Sequence, residues 1–273
     1  MIFLHILLFL VTIASTIFVG GYLYSCAIMT ILLCHEMGHY VMTRRHGIPS
    51  TLPFFIPLPL PPFGTFGALI KMKGIITDKR ALFDIGIAGP LSGFIVAVPF
   101  IIAGLKLSTI TTVSGIPASS YMELGEPLLF KILEPLLVGE IPKGHELMLH
   151  PLAYAGWVGL FVTSLNLLPV GQLDGGHVVY AVFGRQSKWV FYGVIAGLGI
   201  LAVFHNIGWF TLVILLAIFG RNHPRPLDEE TELDGRRKKL AILGLAIFIL
   251  SFIPAPFPEM TIKNVLQQAG LFH

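Results

Sequence analysis

The chain has 273 residues, 55% hydrophobic and only 12% charged, with a formal net charge of +3. Soluble domains carry about a quarter of their residues as charged side chains, so a water-soluble globular protein is excluded, and the mean hydropathy of +0.81 agrees. The small positive excess reflects how loops are sorted across a membrane and gives no nucleic-acid signal.

Apolar runs long enough to enter hydrocarbon predict helices near 2–20, 22–43, 81–104, 151–183, 189–204, 207–220 and 240–254. The expected class is an all-α polytopic membrane protein with six to seven transmembrane helices. The range reflects 189–204 and 207–220, which are short for two full spans and can be read as one hairpin. Met1 to Gly21 has no basic leading region and no small-residue cleavage site, so it reads as a retained first span. Cys26 and Cys34 lie too far apart along one helix to bridge and read as small buried apolar residues.

Residues 52–70 are apolar enough to enter the membrane, yet Pro53, Pro57, Pro59, Pro61 and Pro62 forbid a continuous helix. Irregular backbone survives at membrane depth only against protein or a wet cavity. This stretch is therefore expected to re-enter the membrane and line something there, with Gly64 to Met72 as an edge strand. Further along, Ala88-Gly89-Pro90-Leu91-Ser92-Gly93 reads as a small-residue surface for close helix packing. The 105–150 connection is too short for a folded module of common size. In the run 151–183, Pro169, Gly171, Gly175 and Gly176 predict a break at 166–177. No repeat or shift in composition marks a second domain.

Fourteen of the eighteen lysines and arginines fall on one face of a seven-span arrangement, among them Arg44, Arg45, Lys79, Arg80, Arg221, Arg225 and Arg236 to Lys239. That face, and the amino terminus with it, is expected to be cytoplasmic. The 105–150 connection carries Glu123, Glu126, Glu134, Glu140 and Glu146 against three lysines and falls on the other side.

Only two of the fifteen acidic residues, Glu36 and Asp174, lie deep inside apolar stretches. An ionisable group in hydrocarbon costs several kcal/mol unless it is paired, hydrated or bound to a cation, which makes both functional candidates. Glu36 belongs to His35-Glu36-Met37-Gly38-His39, an H-E-x-x-H sequence on a helix. Its histidines sit about 40° apart around the axis and can reach one ion, while Glu36 points to the adjacent sector. A catalytic zinc takes three protein ligands and keeps one open position, and Asp174, at the predicted break, is the remaining carboxylate at depth. A polar patch satisfied between helices, and a helix-cap carboxylate at Asp174, are the structural alternatives. His177 reads as a supporting or structural residue, and His5, His145, His150, His205 and His223 as interfacial or loop residues.

His35, Glu36 and His39, followed by Asn166, Pro169, Leu173, Asp174 and Gly175 as N-x-x-P-x-x-x-L-D-G, resemble the site-2 protease family of intramembrane zinc metalloproteases. The resemblance runs from about 22 to 183, includes 52–73 as a stretch similar to the family's re-entrant, proline-rich β-loop, and implies a single transmembrane protease domain over 1–273. Its catalytic core is 22–183, its flanking helices are 1–21 and 189–254, and no PDZ or CBS domain is visible. It further implies one zinc per chain on His35, His39 and Asp174, with Glu36 as the base that takes a proton from water and returns it to the departing amine. Asn166, two helical turns before Asp174, is the candidate donor to the developing oxyanion. The implied function is hydrolysis of peptide bonds in or near transmembrane segments of membrane-protein substrates. Strand addition at Gly64 to Met72 would hold the unwound substrate. The competing function is a metal-ion or solute transporter with a midplane His/Asp site, which needs ligands but no base. Oligomeric state is not specified by any of these features.

Overall fold

The computed structural model describes residues 2–112, 122–220 and 226–261; Arg221, His223 and Arg225 lie outside them. Its first element, α1 (Ile2–Arg45), has 44 residues, about 66 Å if straight and twice what hydrocarbon requires. It is not straight. Gly21 has φ 79° and ψ 178°, a conformation open to glycine because it has no Cβ. The chain folds back there, because the Thr16 and Ser25 hydroxyls meet at 2.7 Å, whereas nine residues of continuous helix would hold them about 13 Å apart. The runs expected at 2–20 and 22–43 are the two arms of a helical hairpin.

Next come β1 (Phe54–Pro57) and β2 (Thr65–Leu69), a two-stranded antiparallel ribbon with Phe54 opposite Leu69 and Phe55 opposite Ala68. A bridge between Ser50 and Met72 extends it. The edge strand expected at Gly64 to Met72 thus forms over its middle. The ribbon is pinned to the helical hairpin at both ends. At its base, His5 Nδ1 donates to the Pro53 carbonyl at 3.0 Å and the imidazole lies on Phe54 with ring centroids 4.0 Å apart. At its tip, Ser15 donates to the Gly64 carbonyl and Tyr24 to the Phe63 carbonyl, both at 2.6 Å. His5, read from sequence as interfacial or loop, is a buried peg.

α2 (Lys79–Leu107) starts at Asp78, whose carboxylate accepts from the Ala81 N–H at 2.8 Å. It packs along the second arm of α1 through small residues: a Cβ on Gly38 would lie 2.4 Å from the Ala88 carbonyl oxygen. The close packing expected of Ala88 to Gly93 is what the backbone requires. Near its start Asp84 accepts from Arg237 Nε at 2.8 Å and Nη2 at 2.6 Å, and from His46 Nε2 at 3.0 Å.

The described parts of the 105–150 connection, 105–112 and 122–150, hold elements that the sequence reading left out. β3 (Thr109–Thr112) and β4 (His145–Met148) pair antiparallel, and α3 (Leu128–Leu137) lies between them in sequence. α4 (Pro151–Asn166) follows, then a non-helical turn, then α5 (Asp174–Phe183), so the long apolar run breaks where its proline and glycines predict. A 3-10 turn at Gly184–Gln186 leads to α6 (Ser187–Phe204), α7 (Gly208–Phe219) and α8 (Gly235–Ser251). The protein is thus mostly helical. Among the described residues three helical stretches are long and apolar enough to cross a membrane, Ile2–Arg45, Lys79–Leu107 and Asp174–Phe204, and Gly208–Ile218 is a shorter apolar helix. Neither cysteine is buried as the sequence suggested: Cys26 is exposed, on the side of α1 opposite Tyr24, Ala27, Ile28 and Ile31, which join Trp157 and Leu160 in the core, and Cys34 is half-buried at the margin of that packed side.

Candidate metal centre

His35 and His39 stand one turn apart on the second arm of α1, and their Nε2 atoms are 3.2 Å apart. Asp174 opens α5 and faces them. Its Oδ2 lies 3.3 Å from His35 Nε2 and 3.2 Å from His39 Nε2. The turn before α5 produces this approach. Leu173 is extended (φ −69°, ψ 159°). A Cβ on Gly175 would lie 2.0 Å from the Leu167 carbonyl oxygen and one on Gly176 2.4 Å from that of Gly171. Without side chains at 175 and 176 the first turn of α5 presses against the loop, and the short Asp174 side chain points into the core.

The three donor atoms therefore form a nearly equilateral triangle with sides of 3.2, 3.2 and 3.3 Å. Four-coordinate zinc with bonds of about 2.0–2.1 Å to nitrogen and oxygen separates its ligand atoms by about 3.3 Å. The triangle has the dimensions of one face of such a tetrahedron, and two imidazole nitrogens with one carboxylate oxygen are donors that zinc accepts. His35, His39 and Asp174 could hold a metal ion, and the fit is good for zinc.

The surroundings orient these groups. His39 Nδ1 lies 2.8 Å from the Ile85 carbonyl oxygen; a carbonyl can only accept, so Nδ1 carries the proton and Nε2 presents its lone pair. Gly89 of α2 sits over the same ring, where a Cβ would come within 2.0 Å of Nε2, and a Cβ on Gly93 would come within 3.1 Å of His35 Nδ1. Glu36 is buried, and its carboxylate accepts from the backbone N–H of Ile70, just past the end of β2. Glu36 and the three donors share a cavity of about 220 Å3 whose wall includes Ala68 to Ile70, Asn166 and His177. Asn166 ends α4 and brings its Nδ2 within 3.1 Å of His35 Nε2.

All five residues singled out from the sequence, His35, Glu36, His39, Asn166 and Asp174, thus meet around one small cavity. Three contributors were not singled out: the Ile85 carbonyl, the Ile70 N–H and the bare Cα of Gly89. The first two are backbone groups and carry no sequence signal. The third had one, since the small-residue run at 88–93 marked a close approach without saying what approaches.

The model of peptidase family M50 matches residues 23–193. The chain belongs to peptidase family M50. All five clustered residues fall inside the M50 match. Curated relatives include the probable zinc metalloprotease EGY1, chloroplastic, of Oryza sativa subsp. japonica, 32% identical over 83% of this chain and 39% of its own length. The probable zinc metalloprotease EGY2, chloroplastic, of Arabidopsis thaliana is 31% identical over 83% of this chain and 40% of its own. The chain spans about 40% of the length of these relatives. Among solved structures, the site-2 protease from Methanocaldococcus jannaschii superposes with a TM-score of 0.40 and 18% identity, over 85% of this chain and 93% of that one.

Proposed function

We propose that this member of family M50 is an intramembrane zinc metalloprotease that hydrolyses peptide bonds in or near transmembrane segments of membrane-protein substrates. The observation that carries the reading is the triangle of His35 Nε2, His39 Nε2 and Asp174 Oδ2 with the Glu36 carboxylate beside it in a single buried cavity. Ligands alone would also serve a transporter. A buried carboxylate placed beside the donor set without belonging to it is what hydrolysis adds, and the family match supports hydrolysis.

In this reading His35, His39 and Asp174 hold one zinc per chain, which supplies Lewis acidity toward the scissile carbonyl and toward water. Glu36 accepts the proton of the attacking water and returns it to the departing amine. The Ile70 N–H holds the Glu36 carboxylate in place for both transfers. Asn166, whose amide approaches the donor set at His35 Nε2, donates to the oxygen on which negative charge develops. The substrate is extended by pairing with the free edge of β2, which ends at the catalytic cavity and keeps the backbone of the unwound segment hydrogen-bonded.

Counting both arms of α1, the apolar helices supply six to seven spans, with 22–183 as catalytic core, 1–21 and 189–254 as flanking helices, and the β1–β2 ribbon re-entering from one face. The basic face that includes Arg44, Arg45 and Lys79 is assigned to the cytoplasm, along with the amino terminus and the access route to the site. The test is reconstitution in liposomes with a single-span substrate, comparing wild type with Glu36→Gln. Cleavage by wild type and none by the variant is expected. Equal cleavage by a zinc-loaded variant would show that the assigned base is wrong.

A further inference from the structure

A second, larger cavity lies at the far end of the β1–β2 ribbon. Its volume is about 1120 Å3, and it forms where the turn of the helical hairpin at Val19 and Gly20, the ribbon tip at Pro61 and Pro62, and the layer of α3 and β4 meet. Glu123, Glu126, Glu134 and Glu146 line it, against one lysine, Lys143, and one histidine, His145. Among the described residues none of these four carboxylates is in an ion pair. Burial, and then the neighbouring Glu126, raises the pKa of Glu134. The fold crowds negative charge into this space and leaves its counter-charge to be supplied.

Two further features say where that counter-charge comes from. The back of α3 carries Leu128, Ile132 and Leu136 on successive turns, 41%, 45% and 75% exposed, while Phe130 and Glu134 face the cavity. An apolar stripe outside and a carboxylate inside suit a helix lying at a bilayer surface, with the cavity at the same level. The ribbon also connects the two cavities. Pro61 and Pro62 line the large one, and Ala68 to Ile70 line the catalytic one. Among the described residues β2 pairs only with β1. A chain lying along the free edge of β2, five residues and about 17 Å long, would run from the catalytic cavity towards the acidic one.

We infer that the acidic cavity receives the extramembrane segment adjoining the substrate's transmembrane helix and selects segments that carry Lys or Arg close to the bilayer. This rests on the proteolytic reading above, because the occupant is the other end of the same substrate chain. The selection is electrostatic, acts at a distance from the scissile bond, and orients the substrate by preferring one flank over the other.

The test uses the full chain, zinc-loaded, in liposomes, with three single-span substrates identical except for the flank on the cavity side, which carries lysines, glutamines or glutamates. Cleavage is expected in the order lysine, glutamine, glutamate, with steps of about fivefold in kcat/KM at low ionic strength that collapse at about 0.5 M salt. Glu126→Lys with Glu146→Lys reverses the order, which a merely damaged protein cannot do. Equal cleavage of all three substrates, or an order that the charge swap leaves in place, overturns the inference. Tight stoichiometric calcium binding by the wild type with no flank preference overturns it as well, by assigning the carboxylates to a cation. In parallel, binding of the three substrates to Glu36→Gln is read by fluorescence. Binding in the stated order without any cleavage by wild type sustains the docking and removes the protease reading. Cleavage that is indifferent to the flank does the reverse.

Discussion

Nε2 of His39 lies 3.2 Å from Oδ2 of Asp174, and a third helix makes that distance possible. α2 runs between their two elements with a glycine turned toward each. A Cβ on Gly89 would meet the His39 imidazole at 2.0 Å, and one on Gly86 would meet His177 Cβ at 2.8 Å and the Asp174 carbonyl at 3.0 Å. The donor set is held by backbone-close packing of α1, α2 and α5, so it is preformed and leaves little room for error.

Removing Asp174 should therefore abolish metal retention as well as activity. Asp174→Ala is expected to lower zinc affinity by more than about 100-fold, since loss of even a supporting residue commonly costs 10- to 100-fold. Elemental analysis of the purified protein reads this directly. In the wild type a chelator should stop cleavage and added zinc restore it. A variant that keeps one zinc per chain would exclude Asp174 from the ligand set.

Glu36→Gln preserves shape and removes the proposed base. Zinc content should stay at the wild-type level while turnover falls by about 100-fold or more. The comparison separates the base from the ligands, because His35→Ala and His39→Ala should lose both zinc and turnover.

Gly89→Ala is a one-carbon test of the packing. Its added methyl occupies the space of His39 Nε2, so zinc content and cleavage should both fall sharply. Gly193→Ala, where a Cβ meets nothing within 4 Å, should leave both intact and supplies the control for adding a methyl to a helix. Similar zinc content in the two variants would mean that α2 moves aside freely.

For Asn166, the prediction is a selective loss. Asn166→Ala should reduce kcat by about 100-fold, the usual cost of one oxyanion donor, with KM and zinc content held. If zinc is lost in parallel, the side chain serves to position His35, whose Nε2 it approaches at 3.1 Å.

Stability can be probed away from the site at Arg237, which makes a two-pronged contact with Asp84 while also pairing with Asp234. Arg237→Ala leaves Asp84 half-buried with His46 as its one remaining partner among the described residues and should cost about 2 kcal/mol, between the usual values for exposed and buried pairs. Arg237→Lys should recover only part of the loss, because an ammonium cannot reproduce the fork. Thermal unfolding in detergent measures both.

Several of these relationships were legible in the sequence. The H-E-x-x-H spacing places His35 and His39 on one side of any helix, whatever the rest of the chain does. Pro169 with Gly171, Gly175 and Gly176 locates the break that frees Asp174, since proline removes a donor and glycine permits close approach wherever they stand. The prolines of 53–62 exclude a helix for the same local reason, and the alternation of Gly64 to Met72 marks one strand of the ribbon, while its partner at Phe54–Pro57 carries no such signal. The 105–150 layer was not legible. β3 and β4 are four-residue strands too short to show a period, and α3 makes sense only with a cavity on one side. Nor was the role of His5, whose partners at Pro53 and Phe54 lie on a separate element.

What the sequence determined by itself follows from local chemistry: residence in a membrane, two imidazoles on one face, a carboxylate at a break, and a stretch that cannot be helical. Tertiary structure decided the distances. The fold-back at Gly21 sets the ribbon beside the second arm of α1. The bare surface of α2 brings α5 within 3.3 Å of His35, and Ile70 reaches Glu36 from the end of a strand. A donor triangle with the dimensions of a metal site depends on packing between segments far apart in the chain, and no local pattern encodes that packing.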